Sequence, residues 1–139
     1  MILYDHYVKV YYKDVDQMGI VYYSRYFEYF EQARTELLSA LGLDVTSIEK
    51  KGIQIPVVSS HCDYHIGARF EQQLKIRTMI NDLPKAKLCI QYEIFDSGND
   101  ADSMVSGHTV HAFINENGKP IRAPKTVIEK FKDQFNMVE

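Results

Sequence analysis

Polar and apolar residues alternate along the second half of the chain. The positions that share one face are Leu74, Ile76, Thr78 and Ile80, followed by Leu88, Ile90, Tyr92 and Ile94. A period of two is typical of a strand with one buried face. Turn-forming residues fill 82–85 and 96–100, and a further strand from Met104 to Ile114 runs into the turn dipeptide Asn117-Gly118. The pattern predicts three consecutive antiparallel strands.

Two more β-rich stretches come earlier. Tyr4 to Lys13 alternates and predicts a first strand, and Ile53 to Ile66 predicts a long second one. Pro56 lies in the second stretch and cannot donate to a ladder, so we expect an edge position or a bulge there. The polar segment 44–52 between them is predicted to be a connection.

The best helix signal follows the first strand. Its apolar positions recur every three or four residues, at Tyr26, Phe27, Phe30, Ala33, Leu37, Leu38 and Leu41. Ser24 is a candidate N-cap and Gly42 a candidate stop. A shorter closing helix is predicted after Pro124. The order strand, long helix, four strands, short helix predicts an α+β fold, with one antiparallel sheet wrapped over the helix in a single domain, 1–139.

Composition narrows the function classes. The net charge of -3 argues against a nucleic-acid partner. Cys62 and Cys89 lack a metal or redox spacing and are expected to be free thiols in a reducing compartment. The chain shows no signal peptide and no run long enough to span a membrane, so we expect no membrane partner and a cytoplasmic location.

The sequence offers no metal or cofactor motif. The five histidines include no H-E-x-x-H pair, and there is no nucleophile elbow, P-loop or dinucleotide fingerprint. We expect neither a metal nor a cofactor. The 10 tyrosines and 7 phenylalanines fit either a packed core or an aromatic pocket.

Two aspartates, Asp14 and Asp16, precede the long helix. The apolar segment I-V-Y-Y follows them, so a carboxylate here is expected to be partly desolvated and to act as a base or a nucleophile. The helix N-terminus offers unpaired N–H donors that can stabilise a developing oxyanion. An ordinary acidic strand end, or a cap on nearby N–H groups, fits the same residues.

The stretch D-V-D-Q-M-G-I-V-Y-Y-S-R-Y-F-E-Y-F-E-Q-A-R-T-E resembles the signature of the hotdog-fold acyl-CoA thioesterases of the hydroxybenzoyl-CoA thioesterase family. G-A-R-F-E-Q-Q-L-K-I and S-G-H-T-V-H-A-F, with G-K-P-I-R-A-P, extend the likeness over most of the chain. The resemblance implies one antiparallel sheet around a long central helix, two protomers that join their sheets, and an acyl-CoA substrate.

The resemblance also implies roles for particular residues. Asp16 matches the catalytic aspartate, and Asp14 matches a position without an assigned chemical role. Tyr23 matches the position whose backbone N–H polarises the thioester carbonyl; some relatives carry histidine there. Gly19 fits a close approach of backbone and substrate, and equally a plain turn.

Coenzyme A carries phosphates that basic residues can hold. Lys85 and Lys87 lie at a turn that resembles the family's coenzyme-binding turn, and Arg69 is a further candidate; for each, a solvated surface cation is the alternative. Arg34 falls among the apolar helix positions and is expected to pair with a carboxylate.

We therefore expect hydrolysis of an acyl-CoA thioester, with Asp16 as nucleophile or as general base. A carrier-protein thioester as substrate, and a binding or assembly domain without catalysis, stay open. Open sheet edges invite pairing, so we expect a homodimer or homotetramer whose sites lie at the subunit boundary, as the resemblance implies.

Overall fold

The computed structural model describes residues 1–138. The strands are β1 (Ile2–Lys9), β2 (Val57–Tyr64), β3 (Gln73–Ile80), β4 (Lys87–Asp96), β5 (Val105–Ile114) and β6 (Pro120–Ile121). The helices are α1 (Arg25–Ala40), α2 (Val45–Lys50) and α3 (Lys125–Val138), and a 3-10 turn covers Tyr12–Asp14. The predicted order of elements is confirmed, with α2 and β6 added to it.

The strands form one antiparallel sheet in the order β1-β3-β4-β5-β2, and the short β6 pairs with the end of β5. The α+β class and the single antiparallel sheet predicted from the sequence are therefore confirmed. β1 and β2 form the two edges. The register shifts between Val57 and Ser59 on β2, so the segment after Pro56 has the predicted bulge at an edge.

The sheet wraps around α1, which buries the apolar face that its sequence predicts. Tyr26, Phe30, Ala33 and Leu37 are all nearly inaccessible to solvent, and each large side chain buried in this way contributes about 1.5–3 kcal/mol. Gly42 has a φ of 78° and ends the helix in the left-handed conformation, as predicted.

A close approach between α1 and the sheet depends on Gly107 of β5. The Phe30 ring stacks on Tyr92 of β4 at a centroid distance of 4.3 Å. A Cβ atom on Gly107 would lie 2.9 Å from the Phe30 ring and 2.4 Å from the carbonyl oxygen of His61. Any larger residue at this position would push the helix or the edge strand away.

Three local predictions were wrong. The first strand ends at Lys9 rather than Lys13, because the chain turns into the 3-10 segment. The polar connection contains α2, whose N-cap Asp44 accepts a hydrogen bond from the Ser47 N–H. Ser24 has helical dihedral angles and its side chain makes no capping bond, so α1 begins without a side-chain cap.

The sheet has two ends that matter for the site. At one, the upper end, β2 stops at Tyr64, whose hydroxyl donates to the Tyr23 carbonyl just before α1. At the other, the lower end, the turn between β3 and β4 meets the segment that leads into α3, through an Ala123 N–H to Lys85 carbonyl bond of 2.7 Å. The ten residues of β4 separate these ends by about 30 Å.

Candidate active site

A tight loop at the upper end carries Asp16. The Asp16 N–H donates to the Ile20 carbonyl at 2.9 Å, and the Gly19 N–H donates to the Asp16 carbonyl at 3.0 Å. Gly19 has a φ of 77°, which a residue with a side chain rarely adopts. This backbone holds Asp16 at a fixed point shortly before the N-terminus of α1.

The Asp16 carboxylate is held from one side. Its Oδ1 accepts from the backbone N–H of Met18 at 2.8 Å and of Ile20 at 3.3 Å. Within the described part of the chain its Oδ2 has no hydrogen-bond partner. The side chain is exposed, so the expectation that this carboxylate is partly desolvated was wrong for Asp16 within one protomer. One oxygen is fixed by the loop and the other is open to a substrate or a water molecule.

Arg69 lies beside this loop, which contains Gly19. Ile20 and Arg69 form an isolated antiparallel bridge, and the Phe70 N–H donates to the Gly19 carbonyl at 3.3 Å. The Arg69 side chain is exposed. Four of the six site residues predicted from the sequence, namely Asp16, Gly19, Tyr23 and Arg69, therefore gather at the upper end of the sheet.

Tyr23 lies directly before α1. Its carbonyl accepts from the Tyr64 hydroxyl at 3.2 Å, and burial raises the pKa of Tyr64 to about 12, so this hydroxyl stays protonated. Among residues 1–138, neither the Tyr23 N–H nor the Ser24 N–H donates a hydrogen bond. Two free donors at the positive end of a helix favour an anion or a polarised carbonyl.

Asp14 has a different environment from Asp16. Its side chain is only 3% exposed, and it accepts from the Tyr11 N–H at 3.0 Å and from Lys13 Nζ at 2.9 Å. Burial opposes its ionisation, but these two hydrogen bonds outweigh burial and hold the pKa of the carboxyl below its usual value. Both aspartates accept backbone N–H groups, so the capping that the sequence left open occurs at each of them.

An exposed aromatic rim surrounds the Asp16 loop. Tyr12 meets Phe70 edge to face at 5.7 Å, and Tyr22 lies against Tyr23 at 4.5 Å. The sequence left open whether its aromatic residues serve a core or a pocket, and these four are exposed. In the sequence, this rim could have been found from the consecutive residues Tyr22 and Tyr23 before α1 and from Phe70 beside Arg69.

Lys85 and Lys87 do not join this group within one protomer. Both side chains are exposed at the lower end, where the Lys85 N–H donates to the Lys87 carbonyl at 3.3 Å. The length of β4 keeps them about 30 Å from the end that carries Asp16. The two halves of the predicted site thus lie at opposite ends of the sheet.

The expectation that Arg34 pairs with a carboxylate was wrong. No ion pair in the described part of the chain includes it. Instead its side chain lines a cavity between α1, α2 and the sheet.

Residues 1–138 contain neither a cluster of metal-ligating side chains nor a helix suited to crossing a membrane. No group of three or more histidine, cysteine, aspartate or glutamate side chains is arranged to hold a metal ion. No helix has both the length and the apolar character needed to cross a membrane.

The known proteins that the chain resembles include thioesterases. The family model of the thioesterase-like superfamily matches residues 10–132. The chain is 31% identical to the acyl-CoA thioesterase YbgC of Haemophilus influenzae over 127 residues, covering 89% of the chain and 90% of the relative. It is 30% identical to the acyl-CoA thioesterase YbgC of Helicobacter pylori over 137 residues, covering 94% and 98%.

A solved structure supports the same conclusion. The fold superimposes on the crystal structure of the DHNA-CoA thioesterase of Staphylococcus aureus with a TM-score of 0.85 and 27% identity, covering 99% of the chain and 91% of that structure. One antiparallel sheet around a central helix is common to both. The chain belongs to the thioesterase-like superfamily, as a hotdog-fold member of the acyl-CoA thioesterases.

Proposed function

We propose that this protein hydrolyses acyl-CoA thioesters at the upper end of the sheet, with Asp16 as the reacting carboxylate. The observation that carries the proposal is the pairing of a half-fixed carboxylate with a free helix N-terminus. Asp16 Oδ1 is held by two backbone N–H groups, while the Tyr23 and Ser24 N–H groups at the start of α1 are free among the described residues. The acyl-CoA activity named for the relatives supports the same reaction class.

The reaction follows from this arrangement. The thioester carbonyl accepts from the Tyr23 N–H, which draws electron density onto the oxygen and stabilises the oxyanion. Asp16 Oδ2 then attacks the carbonyl carbon and expels the coenzyme A thiolate, leaving a mixed anhydride that water opens. In the alternative route Asp16 takes a proton from a water molecule, which attacks the same carbon.

The test is thiol release from a panel of short, long and aromatic acyl-CoA esters, with wild type, Asp16→Asn and the exposed control Asp102→Asn. We expect wild type and the control to hydrolyse at least one ester and Asp16→Asn to lose most of that activity. Addition of hydroxylamine separates the two routes, because only the anhydride yields an acyl hydroxamate in amounts that exceed the uncatalysed reaction. Equal turnover by wild type and Asp16→Asn would leave the chain as a binding or assembly domain.

A homodimer through β2 would complete the site. β2 is an edge strand, and every side chain on it is exposed except that of Cys62, which is half-buried. Two copies of β2 paired antiparallel about a twofold would bury this edge and continue the sheet. The twofold also turns the partner end for end, so the lower end of one subunit comes beside the upper end of the other.

This geometry gives Lys85 and Lys87 a role in the neighbouring site. In the dimer, the partner subunit's Lys85 and Lys87 approach the end that carries Asp16 and can hold the phosphates of coenzyme A. Arg69 lies on the same loop cluster as Asp16 and would contact the coenzyme from its own subunit. Within one protomer the two lysines lie too far from Asp16 for one short contact.

Mixed dimers test this arrangement. Two parent proteins are needed, Asp16→Asn and the double variant Lys85→Glu, Lys87→Glu. Each is expected to have low hydrolytic activity at substrate concentrations below the wild-type KM. In a mixed dimer one site carries both defects and the other carries neither. Activity above the mean of the two parents supports shared sites, and activity at the mean places the lysines in their own subunit's site. Sedimentation of wild type that gives a fully active monomer would refute the dimer.

Two further expectations join the proposal. A cytoplasmic location fits the free thiols of Cys62 and Cys89. One domain over 1–139 fits the continuous buried cluster, which draws on α1, α3 and the strands of the one sheet.

A further inference from the structure

A cavity of about 310 Å³ lies away from Asp16, between α1, α2 and the inner face of the sheet. Its floor is formed by buried residues of the neighbouring strands β4 and β5, namely Leu88, Ile90 and His111. Glu31, Thr35, Val45 and Glu49 are exposed and form its mouth. Because no residue of β2 lines it, the cavity does not depend on the proposed pairing of that edge.

The neutral polar side chain of the floor, His111, already has a partner at each ring nitrogen. The Tyr92 hydroxyl lies 2.7 Å from Thr109 Oγ1, which lies 2.8 Å from His111 Nε2. The other ring nitrogen of His111 is 3.2 Å from the Ile55 carbonyl. Burial lowers the pKa of His111, and the charge of Arg34 lowers it further, so the imidazole is neutral near pH 7. Because His111 is neutral, Arg34 is the cation among the residues that line the cavity.

Arg34 points toward this floor without a counter-ion. Its side chain lines the cavity together with Leu88, Ile90 and His111, and the charge of Arg34 opposes the rise that burial causes in the pKa of the neighbouring Tyr92. Arg34 is half-buried, forms no ion pair in the described part of the chain, and lies inside a wall of mostly apolar side chains. A half-buried guanidinium without an ion-pair partner favours a carboxylate, which it can bind through two parallel hydrogen bonds.

We infer that the cavity beside Arg34 binds the carboxylate of an organic acid, with the carboxylate on the guanidinium and an apolar body between Leu38, Ile48 and Ile90. The volume of about 310 Å³ lies at the small end of ligand pockets, about 300–1,000 Å³, so a short-chain acid suits it. Two sources share this chemistry. One is the far end of an ω-carboxyacyl group on the substrate, which rests on the proposed function, and the other is a free monocarboxylic acid.

Direct binding tests the site without any need for catalysis. Octanoate and octanol, matched in length, are titrated by calorimetry into wild type, Arg34→Gln and Lys132→Gln, the last an exposed cation on α3. Octanoate should bind wild type and Lys132→Gln with equal affinity. It should bind Arg34→Gln at least about tenfold more weakly, which is the loss expected when one hydrogen bond to a charged group is removed. Octanol should not distinguish the three proteins. Equal binding of octanoate to wild type and Arg34→Gln, or no binding to wild type, would overturn the proposal.

A second variant and a substrate pair complete the experiment. Val45→Phe narrows the mouth of the cavity and leaves Arg34 in place, so it should also weaken octanoate binding. This variant tests the site even if circular dichroism shows that Arg34→Gln is poorly folded. The kcat/KM ratio for 7-carboxyheptanoyl-CoA over octanoyl-CoA then separates the sources. A ratio that falls about tenfold in Arg34→Gln identifies the acyl end as the ligand, and an unchanged ratio with Arg34-dependent octanoate binding identifies the free acid. Loss of all hydrolysis with binding intact would count against the proposed function alone.

Discussion

Asp14 and Asp16 are two residues apart in sequence, yet the fold gives them opposite surroundings. Asp14 is buried against α1, where Lys13 and the Tyr11 N–H hold its charge. Asp16 is exposed, and in the described part of the chain only its own loop donates to it. A carboxylate whose oxygens are both engaged stabilises structure, whereas one with a free oxygen beside a helix N-terminus is available for chemistry.

The comparison also shows how the two residues depend on each other. The Asp14 carbonyl accepts from the Tyr22 N–H at 2.9 Å, so the segment around Asp14 fixes the far strand of the loop that carries Asp16. The buried aspartate thus orients the exposed one through the backbone. Substitutions at the two positions therefore separate a loss of the reacting group from a loss of the structure that holds it.

The largest effect is expected for Asp16→Asn. The amide has nearly the size of the carboxylate but is neither a base nor a good nucleophile, so kcat should fall by about 100-fold or more. Its carbonyl oxygen can still accept from Met18 and Ile20, and the midpoint of thermal unfolding should stay close to wild type. Asp14→Asn, assayed in parallel for thiol release, should lose much less; a larger loss there would reverse the assignment of the two residues.

Asp14→Ala should mainly reduce stability. Removal of the carboxylate leaves the Tyr11 N–H and Lys13 without their acceptor, and we expect the free energy of unfolding to fall by about 2 kcal/mol. Denaturant unfolding followed by circular dichroism measures this change. Asp16→Ala is the matched control, and an equal loss of stability in both variants would contradict the difference between the two sites.

Acid should remove the contribution of Asp14. Because its pKa is lowered in the folded protein, the folded state favours the ionised form. The stabilisation is then complete above the unfolded pKa, about 3.9, and is lost as pH falls through the lower folded value. The difference in unfolding free energy between wild type and Asp14→Asn should therefore be constant from pH 5 to 7 and shrink below pH 4.

The same pH series carries an internal control. Both proteins retain His111, whose pKa is lowered by burial, so both should lose stability as pH falls below about 6.5, the ordinary value for histidine. A difference between the two proteins that shrinks in that higher range, rather than below pH 4, would mean that Asp14 is not held ionised by the fold.

The sequence predicted the regular parts of the fold because their pattern is local. The alternation on β3 and β4 and the spacing on α1 each report which face is buried, and neither depends on distant residues. Gly42 was predicted for the same reason. The short α2 was missed because six residues carry too little periodicity to stand out in a polar segment.

The site was predicted only in part because its remaining features are tertiary. Asp16, Gly19 and Tyr23 lie in one continuous motif, which the sequence displays. The burial of Asp14 depends on α1 packing over it, and the separation of Lys85 from Asp16 depends on which end of the sheet each turn occupies. Arg34 was expected to pair with a carboxylate because a helix pattern cannot show that its side chain lines a cavity with Leu88, Ile90 and His111.

The smallest effect is expected for Tyr29→Phe, at the contact between α1 and Asp14. The Tyr29 hydroxyl is buried and has no hydrogen-bond partner in the described part of the chain. Burial raises its pKa, and the charge of Asp14 raises it further, so the hydroxyl lies near the carboxylate as a neutral group. Loss of an unsatisfied polar atom should leave the unfolding free energy within about 0.5 kcal/mol of wild type and the thiol-release activity unchanged. If Tyr29→Phe instead destabilises the fold by 1 kcal/mol or more, and the effect vanishes when Asp14→Asn is also present, Tyr29 donates to Asp14 in solution and the buried carboxylate has a third donor.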